Sequence, residues 1–208
     1  MAKIKKRILP SRFFQRDPLV CASELVGTEL LWGKCSGLVV ETEAYLTLED
    51  EACHTFTRPS TRAFVERNDP GAAYVYFNYG MHWMLNVLVK GAKRSGLILI
   101  RAIEPRTGLS IMKARRGVDD IHQLCSGPGK LTRALDITNR HHEIDLCSDS
   151  RHCFLQRENA EIEVTADPRI GISRATELPW RFTLAESRFV SVPVRSLAAR
   201  KTLTRRST

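Results

Sequence analysis

The sequence contains no long hydrophobic run, and no segment approaches the ~18 consecutive apolar residues that a membrane-spanning helix requires. It also lacks a signal-peptide core, because Ile8 and Leu9 are followed at once by Pro10, Ser11 and Arg12. These two absences predict a cytosolic protein with no segment inserted in a membrane.

Paired cysteine motifs are absent as well. The chain has six cysteines but no CxxC spacing, and a chain of 208 residues without a secretion signal does not depend on disulfides, so we expect reduced thiols. Histidine and cysteine are concentrated at His141, His142, Cys147, His152 and Cys153. Their spacing matches no standard zinc pattern, and the sequence therefore predicts no metal site.

Acidic residues are in deficit, since 23 aspartates and glutamates face 32 lysines and arginines. The resulting net charge of +9 and pI near 9.5 favour a polyanionic partner, with nucleic acid as the first candidate and an acidic membrane surface as the second. Part of the excess lies at the two ends of the chain, and basic tails alone can raise a pI. Charge alone therefore does not decide between a nucleic-acid partner and basic tails.

Strands are indicated by apolar residues that alternate with polar ones or form short apolar runs. The expected strands are 37–46, 73–79, 81–89 and 96–105, with weaker signals near 160–166 and 181–192. Their short, closely spaced pattern is typical of an antiparallel sheet.

Helices are expected after the cap Asp17-Pro18, at 109–116, and after a glycine-rich turn within 124–137. The polar stretch 47–72 is expected to be a long loop, and loops of that length in compact domains are usually functional. Helices and strands are mixed throughout without a linker, so we predict one mixed α/β (α+β) domain over residues 1–208. Its basic flexible tails are expected at about 1–10 and 196–208.

One face of the predicted strand 37–46 carries unusual side chains. Strand alternation places Glu41, Glu43 and Tyr45 on the same side, so that carboxylates and an aromatic ring project into one space. A solvent-exposed edge face would show the same alternation. The face becomes a candidate site only if other functional groups lie beside it.

The chain has only four tyrosines, and three of them lie within residues 73–86. Tyr74 and Tyr76 share a face of the predicted strand, whereas Tyr79 lies at the Tyr-Gly corner between two strands. Aromatic residues are good strand formers, which is one explanation. In a basic protein, flat rings can also stack on nucleobases, and both a binding module and an enzyme would use them.

Four blocks in series resemble the signature blocks of the alkyladenine (3-methyladenine) DNA glycosylase family. They are GLVVETEAYLTLEDEACH (37–54), AAYVYFNYGMHWMLNV (72–87), LILIRAIEP (97–105) and LCSGPGKL (124–131). A thinner likeness at LPWRF (178–182) extends the resemblance over nearly the whole chain apart from the tails. The resemblance implies a fold around a curved antiparallel β-sheet with flanking helices.

The resemblance also implies roles for individual residues. Glu43 matches the carboxylate that activates the attacking water, and Arg101 matches the arginine that supports it. The positions that match residues contacting a flipped base are Tyr45, His54, Tyr76 and Asn86, with Asn86 disfavouring guanine. Tyr79 matches the wedge that fills the gap in the base stack, and we place Met81 with it in the DNA contact. Tyr74 is expected only to pack.

The implied activity is hydrolysis of the N-glycosidic bond of alkylated purines in double-stranded DNA by a monomer without cofactors and without a membrane partner. No lysine occupies a matching nucleophile position, so we expect a monofunctional glycosylase without lyase activity. Such an enzyme would be cytoplasmic and nucleoid-associated in a bacterium, or nuclear in a eukaryote. The alternative is a damaged-DNA-binding protein without catalysis, and an RNA-processing enzyme is a third possibility.

Two further stretches bear on DNA binding. CSGPGK lacks the GxxxxGK[ST] spacing of a nucleotide-binding loop, but a helix start with Lys130 nearby would suit a DNA phosphate; a turn that only caps the helix fits equally well. Residues 60–71 read STRAFVERNDPG, where family members usually carry an Arg-Asn pair and a Met-Phe pair. This departure lies within the atypical 58–70 segment. It bears on which damaged bases are accepted and on the affinity for DNA more than on catalysis.

Overall fold

An antiparallel β-sheet is the centre of the structure, a computed structural model that describes residues 7–157 and 161–193. Its strands are β1 (Glu29–Trp32), β2 (Cys35–Leu46), β3 (Ala73–Asn78), β4 (His82–Lys90), β5 (Ser95–Thr107), β6 (His152–Leu155), β7 (Val164–Asp167) and β8 (Arg181–Leu184). The order is β3-β4-β5-β2-β1-β6, with β8 joining β2 to β7, and the sheet curls into a half-barrel. The predicted α+β class around a curved antiparallel sheet is confirmed.

The helices pack around this sheet. They are α1 (Pro18–Leu25), α2 (His54–Thr57), α3 (Pro59–Arg67), α4 (Leu109–Arg116) and α5 (Pro128–Leu135), with 3-10 turns at Ser11–Gln15, Ile121–Gln123 and Asn139–His141. Helix α1 begins as predicted, because the Asp17 carboxylate accepts hydrogen bonds from the amides of Leu19 and Val20 and Pro18 occupies the first turn.

The two long central strands, β2 and β5, pair along nearly their whole length. They are buried on both faces, because α1 and the other helices cover one side while the curl of the sheet encloses the other. Thr42 shows this on the helix side, where its hydroxyl donates to the Ala22 carbonyl at 2.8 Å. The face that carries Glu41 and Glu43 is therefore interior and does not form a solvent-exposed edge.

The prediction of a long loop over 47–72 was wrong, since this stretch contains α2 and α3. Pro59, within this stretch, occupies the first turn of α3, a position that proline favours. Two residues anchor α3 to the sheet: Phe64 is buried, and the Thr61 and Tyr74 hydroxyls are 2.7 Å apart. Tertiary packing thus stabilises helices whose sequence signal is weak.

Other differences concern short strands. β1 and β6 were not predicted, and each has only four residues. β1 pairs with its neighbour β2 and also with β6, which is distant in sequence. The predicted strand 181–192 is limited to β8, after which residues 185–193 follow an irregular path. Short edge segments acquire strand geometry from their neighbours, which a local pattern does not reveal.

Residues 7–9 of the predicted N-terminal tail are attached to β6. The amide of Leu9 donates to the Phe154 carbonyl at 2.8 Å, and the amide of Gln156 donates to the Arg7 carbonyl at 2.8 Å. Residues 1–6 and 196–208 of the predicted tails lie outside the described residues. Within the described ranges, no helix combines the length and apolar character needed to cross a membrane.

Candidate functional site

A pocket of about 460 Å³ opens on the interior of the curled sheet. Its walls come from β2 to β5, from α2 and from the loop 170–174. Six of the predicted site residues line it: Tyr45, His54, Tyr76, Tyr79, Asn86 and Arg101. The fold therefore brings together side chains that are up to 56 positions apart in sequence, from Tyr45 to Arg101.

Glu43 lies directly behind this pocket. Its side chain is fully buried, and three groups donate to it: the Ile170 amide to Oε1 at 2.7 Å, the Tyr45 hydroxyl to Oε2 at 2.7 Å, and Arg101 Nη1 to Oε2 at 3.2 Å. All three donors belong to pocket-lining residues, whereas Glu43 itself does not line the cavity. Because each carboxylate oxygen can accept about two hydrogen bonds, Oε1 retains capacity for a further donor such as water.

Tyr45 is held as a neutral donor to Glu43. Burial and the neighbouring Glu43 carboxylate raise the pKa of the Tyr45 phenol well above its usual range. The ring also contacts the Arg169 guanidinium, whose central carbon lies 4.6 Å from the ring centroid. The Arg169 side chain is itself fully buried and donates to Asp50 Oδ1 at 2.8 Å, so it is a cation fixed behind the pocket wall.

Arg101 reaches the site from an irregular point in β5. Glu41 pairs with Ala102 and Thr42 pairs with Ile100, which leaves Arg101 between the two paired positions. Such register irregularities are used next to active sites to aim a side chain. Burial alone would lower the pKa of Arg101, but the Glu43 and Glu41 carboxylates outweigh it and raise the pKa, so the guanidinium stays charged.

The aromatic walls of the pocket come from β3 and α2. The His54 and Tyr76 rings meet edge to face with centroids 4.5 Å apart, and Tyr74 and Tyr76 are 5.3 Å apart. Tyr74, which we expected only to pack, does pack but also lines the pocket. Burial, with a smaller effect of Arg58, lowers the pKa of His54 to about 4. His54 is therefore neutral at physiological pH, with one ring nitrogen as donor and the other as acceptor.

Asn86 is fixed at the wall of the same pocket. It lies on β4 opposite Tyr74, and its Nδ2 donates to the Tyr74 backbone carbonyl at 3.2 Å. The side chain is almost fully buried, so the amide presents a fixed polar edge beside the aromatic rings.

The turn between β3 and β4 projects at the mouth of the pocket. Tyr79 has a positive φ of 50° and is 81% exposed, and Met81 is 67% exposed. Single exposed apolar side chains are common, but two large ones within three residues of one turn form an apolar patch, a feature of surfaces that contact partners. The two predicted DNA-contacting residues therefore lie side by side next to the cavity.

Lys130 lies in the first turn of α5, near the pocket but not in its lining. Its Nζ donates to Gln123 Oε1 at 2.8 Å and to Ser126 Oγ at 3.3 Å, while Pro128 of the same turn lines the cavity. A β-carbon on Gly129 would approach His82 Cγ to 2.7 Å, so α5 packs tightly against the start of β4. Lys130, for which we predicted a phosphate contact, thus lies close to the exposed turn between β3 and β4.

Several residues of the site were missed in the sequence. The Ile170 amide, the Arg169 and Asp50 pair, and the Ser191 contact with Glu41 all depend on the loop 167–175 and on the segment 185–193. No local pattern marks these residues. Glu41 was noticed on the face with Glu43, but only the structure shows that it binds Arg101.

The histidine and cysteine cluster of 141–153 has a packing role. His141 and His152 lie against Trp32, with ring centroids 5.1 and 4.8 Å away. In the described part of the chain, no group of three or more potential ligands could hold a metal ion. The six cysteines are free, and burial raises the pKa of the Cys125 and Cys147 thiols to about 12.

Comparison with known proteins identifies the family of the chain. The model of the methylpurine-DNA glycosylase (MPG) family matches residues 12–188. Proteins named "Putative 3-methyladenine DNA glycosylase" are similar over most of their length. One from Rhodopseudomonas palustris is 44% identical, covering 89% of each chain; one from Nitrosospira multiformis is 42% identical, covering 89% of this chain and 95% of its own. One from Agrobacterium fabrum is 44% identical, covering 88% and 92%. The resemblance seen in the sequence is confirmed: the chain belongs to the methylpurine-DNA glycosylase family.

Proposed function

We propose that this chain is a DNA glycosylase that removes 3-methyladenine and related alkylated purines from double-stranded DNA and leaves an abasic site. The observation that carries the proposal is the position of Glu43, a buried carboxylate held by three donors behind a pocket with aromatic walls. Family membership and the names of the similar bacterial proteins support the same activity.

The pocket suits a base that has left the DNA stack. A base inside a duplex is out of reach of an enzyme's reactive groups, and extrusion costs a few kcal/mol, less for a damaged base. Tyr45, His54 and Tyr76 supply aromatic surfaces for stacking, and alkylated purines that carry positive charge are attracted to such rings by about 0.5–2 kcal/mol. Tyr79, whose ring is exposed, would occupy the space that the base vacates.

The chemistry requires water, a base and support for positive charge. Glu43 accepts a proton from water as the water oxygen attacks C1′ of the sugar; the C1′ to nitrogen bond breaks, and the purine leaves with the bonding electrons. The carboxylate also stabilises the oxocarbenium-like transition state. Arg101 fixes the carboxylate through Oε2, which leaves Oε1 as the oxygen that receives the proton.

Water is the nucleophile in this scheme, and no covalent enzyme intermediate forms. Among the described residues that line the pocket, none is a lysine that could form a Schiff base with the sugar. The proposal is therefore a monofunctional glycosylase that does not cut the DNA strand.

The test is base release from a defined duplex that carries a single hypoxanthine or a 3-methyladenine analogue. Wild type and Glu43→Gln would be compared under single-turnover conditions, with alkali cleavage revealing abasic sites and a gel-shift assay measuring binding. We expect wild type to release the base and Glu43→Gln to bind the duplex without releasing it. Borohydride added to the wild-type reaction should trap no protein-DNA adduct.

The matched control is Glu29→Gln, which makes the same change at another buried glutamate of the sheet, away from the pocket. It should release the base at the wild-type rate. If wild type binds damaged duplexes but releases no base from a panel of alkylated purines, the protein is a damaged-DNA-binding protein and the catalytic proposal fails.

A further inference from the structure

Glu41 is a carboxylate next to the site that accepts four hydrogen bonds. Its side chain is fully buried, and it accepts hydrogen bonds from Arg101 Nε at 2.8 Å, Arg181 Nε at 2.8 Å, the Ser191 hydroxyl at 2.8 Å and the Ser191 amide at 2.5 Å. These donors come from β5, β8 and the segment 185–193, so one carboxylate joins three distant parts of the chain.

Glu41 has no direct access to a substrate, because it does not line the pocket. Its connection to the pocket is Arg101, which uses Nε for Glu41, Nη1 for Glu43 and Nη2 for the Ser191 hydroxyl. The contact between Arg101 and Glu43 is the longest of the three that Glu43 accepts, at 3.2 Å. The orientation of the guanidinium therefore depends on the two contacts at its other nitrogens.

The group is balanced in charge, since two guanidiniums, of Arg101 and Arg181, face the carboxylates of Glu41 and Glu43. Burial would raise the pKa of Glu41, but the two arginines and Ser191 outweigh it and lower the pKa. Glu41 is therefore ionised at neutral pH. Removing its charge would leave two buried cations against the single carboxylate of Glu43.

We propose that Glu41 is a positioning residue for the glycosylase reaction: it fixes the guanidinium of Arg101 on Glu43 and fastens the segment containing Ser191 to the back of the site. The inference rests on the proposed function for its kinetic consequence. It predicts that loss of Glu41 slows the chemical step and leaves the binding of damaged DNA unchanged, since Glu41 does not touch the pocket.

The kinetic test compares Glu41→Gln with Glu29→Gln, which removes the charge of a buried glutamate that accepts from the Ser36 hydroxyl at 2.6 Å. Two quantities would be measured on a hypoxanthine duplex under single-turnover conditions. They are the rate of base release at saturating enzyme and the enzyme concentration that gives half of this rate. Glu41→Gln should release the base up to about 100-fold more slowly at saturating enzyme, because small errors in the placement of reacting groups have effects of this size. Its half-saturating enzyme concentration should equal that of wild type. Glu29→Gln should match wild type.

A structural readout tests the same inference without catalysis. In ¹⁵N spectra of arginine side chains, the Nε proton of Arg101 should be protected from solvent exchange in wild type and lose this protection in Glu41→Gln. Glu29→Gln should keep it. Ser191→Ala, which removes one donor to Glu41 and one acceptor of Arg101, should reduce the protection and slow base release by less than Glu41→Gln does.

The possible failures can be told apart. If wild type releases no base, the proposed function fails, and the exchange of the Arg101 proton still decides the role of Glu41. If wild type is active and Glu41→Gln is equally fast or keeps the Arg101 proton protected, the positioning role is wrong. If Glu41→Gln does not fold, the rate of base release and the exchange of the Arg101 Nε proton are measured on Ser191→Ala instead. Wild-type values of both quantities in Ser191→Ala would then reject the proposal.

Discussion

His54 illustrates how a single residue of the site is set by its surroundings. The imidazole, at the start of α2, is partly buried against the Tyr76 ring, and burial is the main cause of its low pKa of about 4. For the proposed cationic substrate, a neutral imidazole avoids a second positive charge in the pocket. Because the unfolded chain can bind a proton at His54 more readily than the folded protein, the free energy of unfolding decreases at acidic pH.

We expect His54→Asn to reduce the dependence of stability on pH. Between about pH 6.5, the usual value for an unfolded histidine, and about pH 4, the unfolded wild type binds a proton at His54 that the folded protein does not. The free energy of unfolding therefore falls as the pH is lowered through this window. Urea unfolding at pH 7 and at pH 4.5 should show a larger loss for wild type than for His54→Asn.

His82→Gln is the control for this comparison, because His82 is exposed at the start of β4. If His82→Gln reduces the pH dependence as much as His54→Asn does, the burial of His54 is not the cause.

At the scale of an element, the β3-β4 hairpin divides its residues between two tasks. Inside the sheet, Tyr74 and Tyr76 build the pocket wall; at the turn, Tyr79 and Gly80 adopt positive φ values of 50° and 65° and expose the tyrosine ring. A left-handed conformation is unfavourable for tyrosine, and glycine or asparagine would be expected at such a position on structural grounds. The fold gains nothing from a bulky exposed ring at this position, which is consistent with the role proposed for Tyr79 in DNA.

We predict that Tyr79→Asn leaves stability within about 0.5 kcal/mol of wild type, because the side chain is exposed and asparagine tolerates positive φ. Base release from a damaged duplex should slow, whereas release from a damaged single strand, where no stack needs to be filled, should change less. Thermal unfolding and single-turnover assays on both substrates measure these effects.

Leu48→Ala removes another exposed apolar side chain, 85% exposed and outside the pocket lining, and should change neither rate. Equal slowing of Tyr79→Asn on duplex and single strand would contradict the role of Tyr79 in the stack.

At the scale of the whole molecule, the segment 185–193 closes the back of the site. The family model matches residues up to 188, yet Ser191 beyond that limit donates twice to Glu41, and Arg181 Nη2 donates to the Val192 carbonyl at 2.5 Å. Phe189 packs against His122, with ring centroids 4.5 Å apart. This segment therefore contributes to the site although it forms no strand.

We expect a chain that ends at residue 188 to be less stable and slower than one that ends at residue 193. The shorter chain lacks the donors of Ser191 and leaves Glu41 and Arg181 with fewer partners, and each hydrogen bond to a buried charge contributes roughly 1.5–3 kcal/mol. Comparing the two shortened chains isolates residues 189–193 from everything beyond them. Equal melting temperatures and equal base release would show that the segment is dispensable.

Much of the site's membership could be predicted from the sequence, because the relevant residues stand in ordered blocks. Strand alternation alone places Glu43 and Tyr45 on one face, and the hydrogen bond between them, 2.7 Å long, spans only two residues of the same strand. The cap at Asp17-Pro18 and the long strands β2 and β5 were also correctly located. These features depend on neighbouring residues, and local sequence determines them.

What only the tertiary structure decided is how these residues are held. The Ile170 amide reaches Glu43 across 127 positions of sequence, and the Ser191 amide reaches Glu41 across 150. Such contacts arise where the sheet curls and irregular segments cross its interior, and no periodic pattern encodes them. The sequence by itself determined the family and the chemical groups of the site; the closure of the sheet determined their burial, their partners and their protonation, because these depend on distances between segments that are remote in the chain.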